Sequence, residues 1–339
     1  MPIADDQLGS ASFGTSRALA LGEPLAALTG VAPGAPLGNE PEGGEASSTG
    51  SVWRLIGRVF IENKLAVVGL LIIVVVFGFC FLGPFFYHSQ QVSVILRGIA
   101  GPGQCGTGKP FPGPSCPLGT DNNGYDVLGR LMVAGQSSLE VGLAAAIVAT
   151  MIGVVYGAVS GFFGGILDAV LMRFVDAVLS IPGLLLLIVV SVLFTPSKDF
   201  LILVIAALAW LYPARLVRGE TLTLRTREYV QAVRVMGGSG RRIVYRHIIP
   251  NAIGTIVVNA TFQVADAILA LAGLSFLGLG IRAPQTDWGQ MLSLGVQYVQ
   301  TGAWWLIVPA GLGIVVIVVA FNLIGDALRD ALEVRLQQR

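Results

Sequence analysis

Residues Leu65–Phe86 form a run of 22 amino acids without one charged, amide or hydroxyl side chain. Wound as a helix, that run is about 33 Å long, enough to cross the ~30 Å hydrocarbon layer of a bilayer. The composition extends the argument to the whole chain. Hydrophobic residues make up 54%, charged residues only 12%, and 44 of the 339 residues are glycine. A soluble domain of this length carries about twice that share of charge, and it could not cover so large an apolar fraction. The excess faces lipid, which excludes soluble enzymes, nucleic-acid-binding domains and disordered chains as the main reading. The net charge of +1 says little about partners.

Charge-free stretches predict six spans: Leu65–Phe86, Val141–Leu167, Ala177–Ser197 (interrupted by Pro182), Phe200–Ala214, His247–Ile281 around Asp266, and Trp304–Gly325. Positive charge is retained on the cytoplasmic side of a membrane. With the N-terminus inside, only Arg97, Lys109, Arg130, Lys198 and Arg282 of the 21 Lys and Arg lie outside. The expected protein is therefore an all-α polytopic membrane protein with six transmembrane helices and both termini cytoplasmic.

The segments between follow from local composition. Residues 1–50 read as a disordered cytoplasmic tail, rich in Gly and Pro toward its end and without a signal-peptide cleavage pattern. In 51–63, Val52, Leu55, Ile56, Val59 and Phe60 recur at spacings of three and four, which predicts an interfacial amphipathic helix. The expected first transmembrane helix covers 64–87 and an external segment 88–136. A core of 137–326 contains a cytoplasmic loop at 213–249, and 327–339 form the cytoplasmic C-terminus. Cys105 and Cys116 fall in the external segment, where an oxidising exterior permits a disulfide; unpaired thiols are the alternative. Cys80 lies in the first span. The two histidines, His88 and His247, are placed on opposite sides of the membrane, so no His-based metal cluster or catalytic dyad can form. Ser275, in Gly273-Leu274-Ser275, accordingly has no base, and no catalytic residue is expected.

The 213–249 loop holds eight arginines against Glu220 and Glu228. Glu228–Met236 reads as a helix carrying Val230 and Val233 on the face shared with Gly237, broken by Gly237-Gly238-Ser239-Gly240. A second helix, Arg241–Ile249, is expected to stop at Pro250, which opens the next span. Two helices, a glycine hinge and a proline exit make a compact projection suited to a groove on a soluble partner, through the Val230, Val233 and Gly237 face. A loop tethered to membrane at both ends is a poor candidate for binding nucleic acid.

Gln231-Ala232-Val233 with Gly237, then Ile248-Ile249-Pro250, resembles the EAA motif of ABC-importer permeases. Further stretches resemble the peptide-importer subfamily: Leu118-Gly119-Thr120-Asp121 with Gly124 and Asp126, Gly161–Gly165 with Asp168, Arg173 and Asp176, Leu216–Glu220, Leu274–Gly280, Trp288-Gly289, and Phe321–Leu323 with Asp326 and Asp330. The resemblance covers about residues 51–335 and is to the C-type permease subunit of dipeptide/oligopeptide (peptide/nickel) transporters. Gln231 stands where that family commonly has Glu, Tyr125 where Arg is usual, and Leu271 where Glu is frequent.

The resemblance implies the type I ABC-importer permease fold. It also implies a paralogous permease that completes the translocation path, two ATPase subunits that bind ATP and Mg, an external substrate-binding lipoprotein, and a bacterial cell-membrane location. Glu228, Gln231, Ala232, Val233, Gly237, Ile248 and Pro250 would couple the chain to the ATPases. The chain has no G-x-x-x-x-G-K-[ST] loop, so the resemblance implies a non-catalytic subunit with no cofactor or metal of its own. Cargo would be a dipeptide, oligopeptide, glutathione or chelated nickel. A secondary transporter or channel subunit is the alternative; it should show membrane-embedded charges, and only Asp266 sits deep in a predicted span. A buried acid there is expensive and makes Asp266 a candidate for lining the path, against helix packing or an interhelical hydrogen bond.

Overall fold

The computed structural model describes residues 63–87, 116–194 and 197–337, with side chains to 332. The chain divides into two units, Met1–Thr49 and Gly50–Arg339, and the first lies wholly outside the described residues, as do the interfacial segment before Asn63 and Cys105. Among the described residues no strand forms; Thr120 and Asp126 make one isolated antiparallel bridge.

Ten α-helices are formed by the described residues of the second unit. α1 (Lys64–Phe86) starts where the Asn63 carboxamide oxygen accepts the Leu65 and Ala66 backbone N–H groups at 3.0 and 3.4 Å. α2 (Val127–Phe163) is started in the same way by Asp126. Then follow α3 (Gly165–Leu179) and α4 (Gly183–Leu193), which meet at 79° around Pro182, and α5 (Lys198–Ala209) and α6 (Leu211–Leu224), which meet at 41°. The short α7 (Glu228–Val235) leads into α8 (Gly240–Phe276), and α9 (Trp288–Val296) and α10 (Val308–Gln337) complete the chain. Among the described residues four of these helices are long and apolar enough to cross a membrane, and the count reaches six where each bent pair is taken as one crossing.

Several boundaries differ from expectation. α2 begins at Val127, well ahead of the predicted Val141, because its charged residues are neutralised: Arg130 lies 3.7 Å from Asp121, and Glu140 is paired with Lys198. It ends at Phe163, with the turn at Gly164, so residues up to Leu167 belong to the next helix. Pro213 leads into no loop; α6 continues helically to Leu224. Proline has no N–H to offer the Ala209 carbonyl four residues back, and the Gln263 side chain fills that vacancy at 3.1 Å. Nor does a helix stop at Pro250. A π-helical turn, Val244–Ile248, precedes it and widens the backbone, so α8 runs through.

α2 is the centre of the bundle, and its residues contribute to each of three buried clusters. One gathers around Trp288 at the α9 end, the second around Leu201 and Leu271 in the middle, and the third around Phe162, Val217, Val230 and Ile243 at the α7 end. In the first, the Trp288 indole N–H donates to the Leu131 carbonyl at 3.0 Å. Leu271, where the resembled family often has a glutamate, is fully buried among apolar side chains of α2, α5 and α8.

Gly153, Gly157 and Gly161 repeat every fourth residue along α2 and let α6 approach to backbone contact. A Cβ at Gly157 would lie 2.3 Å from the Ala214 carbonyl oxygen, and one at Gly153 2.5 Å from Pro213 Cβ. Small residues at this spacing are how helices pack closely in lipid, where no hydrophobic force draws them together. Gly157→Ala should destabilise the protein by about 1–3 kcal/mol through overpacking. Gly219→Ala, on the open side of α6, should be neutral or slightly stabilising. Denaturant titration of both variants in detergent measures the contrast.

Candidate functional site

At the end of the bundle away from α9, α6 delivers the chain into α7, which projects on a short stalk. The stalk is anchored by charge. Arg218 on α6 makes a two-pronged contact with Asp168 on α3, Nε and Nη2 each 2.6 Å from a carboxylate oxygen, and Ser160 Oγ also donates to Asp168. Arg215 pairs with Asp176 on α3, and Arg225 Nη1 donates to the Gly161 carbonyl at 2.9 Å. Parallel Arg–carboxylate hydrogen bonds fix direction as well as distance, so α3, α2 and α6 are locked together beneath the projection.

α7 is stopped by a two-bond cap. The Gly238 N–H bonds the Val233 carbonyl at 2.9 Å and the Gly237 N–H bonds the Arg234 carbonyl at 3.0 Å, with Gly237 at φ +82°. This is a Schellman arrangement, and glycine suits it because a Cβ strains the left-handed conformation. The glycine break read from the sequence thus performs the terminating role expected of Gly237.

The face that α7 turns outward is not the expected one. Val230 is only 2% exposed and Val233 half-buried; both pack on Phe162, Ile243 and Val244. Ile248 is fully buried in the same cluster. The spacing of Val230 and Val233 marked an apolar face correctly, but that face seats α7 on its own protein. The exposed side carries Glu228, Gln231, Ala232 and Gly237, with Val235 at 87% and Met236 at 78% exposure, and Tyr229 and Tyr245 beside them. Gln231 Nε2 donates to the Arg225 carbonyl at 3.0 Å, closing the turn from α6. Pro250 is exposed at the root of the projection. The Arg234 guanidinium lies over the Phe162 ring, 5.4 Å from its centroid. Val235 and Met236 thus make an exposed apolar pair at the end of a firmly fixed base.

The opposite end is polar and compact. Asp121 accepts the Asn123 and Tyr125 N–H groups at 2.9 Å, and the Arg130 guanidinium sits 4.6 Å over the Tyr125 ring. Burial raises the Asp121 and Asp126 carboxyls above the ordinary range, against the pull of these N–H donors and Arg130 on Asp121, and of the Gly129 and Leu128 N–H groups and the Tyr87 hydroxyl on Asp126. Asp287, fully buried, caps α9 through the Gln290 N–H at 3.1 Å, accepts from Ser275 Oγ at 2.8 Å, and is pushed up to about 6 by burial. Ser275 is thus a structural donor. Cys116 is disulfide-bonded, Cys80 is a buried free thiol, and Cys105 lies outside the described residues. No group of three or more His, Cys, Asp or Glu that could hold a metal occurs among the described residues.

Asp266 is exposed in the last third of α8, between the buried pairs Val264–Ala265 and Ala267–Ile268. The sequence singled out the acid. It missed Gln263, one turn earlier, which holds the α5–α6 bend; an amide inside an apolar run was the available signal.

Helices of lipid-crossing length, four to six in number, define a polytopic membrane protein. The family described as binding-protein-dependent transport system inner membrane component matches residues 153–338, and the N-terminal TM domain of oligopeptide transport permease C matches 51–97. The chain belongs to this family of ABC-importer permeases and is a multi-pass membrane protein. It is 39% identical over 283 residues to the oligopeptide transport system permease protein OppC of Escherichia coli K12, covering 84% of this chain and 91% of that one. To OppC of Bacillus subtilis 168 it is 36% identical over 288 residues, covering 85% and 91%. To the dipeptide transport system permease protein DppC of Alkalihalophilus pseudofirmus it is 33% identical over 304 residues, covering 89% and 96%.

The Asp287 carboxyl yields a pH prediction. Its folded pKa, about 6, lies above the ordinary 3.8, so its contribution to stability is full below about pH 4 and is lost as pH rises through about 6. The unaltered protein should lose stability relative to Asp287→Asn over that window in parallel thermal melts; a constant difference would remove the effect.

Proposed function

We propose that this chain is the C-type permease of an ATP-driven importer of di- and oligopeptides, and that α7 is its coupling element. In this reading the chain pairs with a paralogous permease to form the translocation path. Two ATPase subunits, which bind ATP and Mg, dock on α7 from the cytoplasm, and an external binding lipoprotein delivers the peptide. Both termini and α7 are cytoplasmic; α9 and the Asp121 region are external. The chain itself hydrolyses nothing.

The observation that carries the reading is the division of α7 into two faces. Val230 and Val233 fasten it to Phe162 and Ile243, while Ala232, Val235 and Met236 stand exposed. A partner pushing on the outer face therefore moves α7 together with α2 and α8, because no soft layer lies between. ATP-driven closure of the ATPases would use that connection to switch the path between inward- and outward-facing states. The relatives, named oligopeptide and dipeptide transport permeases, support peptide as the cargo.

Gly237 tests the coupling role. Nothing lies within 4 Å of a Cβ built there, so Gly237→Asp leaves the permease core unclashed. It strains the cap by about 1–2 kcal/mol and sets a charge beside Met236. The variant should insert and pair with its membrane partner, yet lose the ATPases or hydrolyse ATP without transport; Gly237→Ala should be milder. Peptide uptake and ATP hydrolysis, measured in the same reconstituted vesicles, decide this, and coupled transport preserved in Gly237→Asp would reject α7 as the transmission point.

The cysteines test orientation. With Cys105 and Cys116 paired outside, an impermeant thiol reagent on intact cells should label neither until a reductant is added. Labelling of both beforehand would exclude the bridge.

A further inference from the structure

Most polar groups of the bundle have partners within the chain; Asp266 has none among the hydrogen bonds and ion pairs of the described residues. Its neighbours in sequence, Val264, Ala265, Ala267 and Ile268, all turn into the protein, so the carboxylate stands on a side of α8 that the chain leaves uncovered. Residues at helical spacing on that side continue as a polar stripe toward the α7 end: Asn259, Thr255 and Asn251. Asn251 is exposed, and Thr255 and Asn259 are half-covered. Thr255 Oγ1 donates to Glu220 at 3.0 Å, and Asn259 Oδ1 has no hydrogen-bond partner.

Lipid cannot be what covers this stripe. An unpaired carboxylate at mid-membrane costs several kcal/mol against hydrocarbon, and two carboxamides add to it. Water in a translocation path removes that cost, and a cation passing along the path gains from the charge. Building on the peptide-import reading above, we infer that Asp266 receives the α-ammonium group of the cargo peptide at mid-membrane, with Asn259 and Thr255 as the next polar stations toward the α7 end. The α-ammonium is the one cation that every unmodified peptide shares, whatever its side chains. A single carboxylate, with no second charge on its stripe until Glu220, fits a cargo that must be held briefly and released.

The test uses the complete complex in vesicles, with tri-alanine and N-acetyl-tri-alanine supplied at concentrations that saturate the external binding protein with either. In the unaltered complex tri-alanine should cross at least about tenfold faster than its acetylated form, the scale of one charge-assisted hydrogen bond. Asp266→Asn should remove that preference by slowing tri-alanine alone, and Asp266→Glu should restore part of it. Equal slowing of both peptides would overturn the inference, since it would mark Asp266 as a packing residue. Failure of Asp266→Asn to co-purify with the second permease would overturn it too, by assigning the carboxylate to a cation on that partner. Independently, Asp266→Cys should react with a water-soluble thiol reagent in the assembled complex and be protected by tri-alanine; no reaction would show that no aqueous path reaches it. If the unaltered complex imports no tri-alanine at all, the peptide-import reading itself falls, and this inference with it.

Discussion

The approach of α6 to α2 at backbone distance is the constraint on which the rest of the structure depends. Three glycines spaced by four on α2 bring Ala214 and Val217 into its groove, so that Arg218 and Arg225 emerge where they can reach across. Only with the two axes this close does Arg218 meet Asp168 with both prongs, and Arg225 meet the free Gly161 carbonyl at the end of α2. The ionic contacts finish what the glycines begin. Hydrogen bonds of this kind are strong when partly shielded, but they act over about 3 Å and cannot draw helices together from farther away.

The same economy governs the irregular places. A bend in a membrane helix exposes a carbonyl that water cannot reach, and the chain must supply a donor. At the α5–α6 bend the donor is Gln263 on α8, which also ties that crossing to the bend. At the start of α8 the π-helical turn absorbs Pro250, and Asn251 Nδ2 donates to the His247 carbonyl at 2.6 Å. The break at Pro213 is thus met by an amide from the same chain and becomes a point of attachment.

Much of this was legible in the sequence, for a physical reason: crossing a bilayer demands about twenty apolar residues, and such runs are unmistakable. The apolar crossings, the interruption at Pro182 and the glycine stop after α7 follow from residue types alone. The start of α2 did not, because Arg130 and Glu140 look like loop residues until their partners Asp121 and Lys198 are known. Such partners lie far apart in sequence. The outward face of α7 was misjudged for a related cause. Periodicity identifies an apolar face but does not say whether that face meets its own protein or another, and Val230 and Val233 meet their own. The glycine seam could have been read from its spacing of four; its partner helix could not.

The continuity of α8 through Pro250 has a mechanical consequence. From Gly240, beside the α7 cap, to Asp266 the helix runs about 39 Å without a break. It is a stiff lever with its short end beside the α7 projection and a carboxylate at its far reach. A tilt of about 10° imposed near Gly240 would carry that carboxylate sideways by about 7 Å, on the same rise per residue. That displacement exceeds the reach of a hydrogen bond, so a rocking of the base is by itself enough to make and break contact in the middle of the membrane.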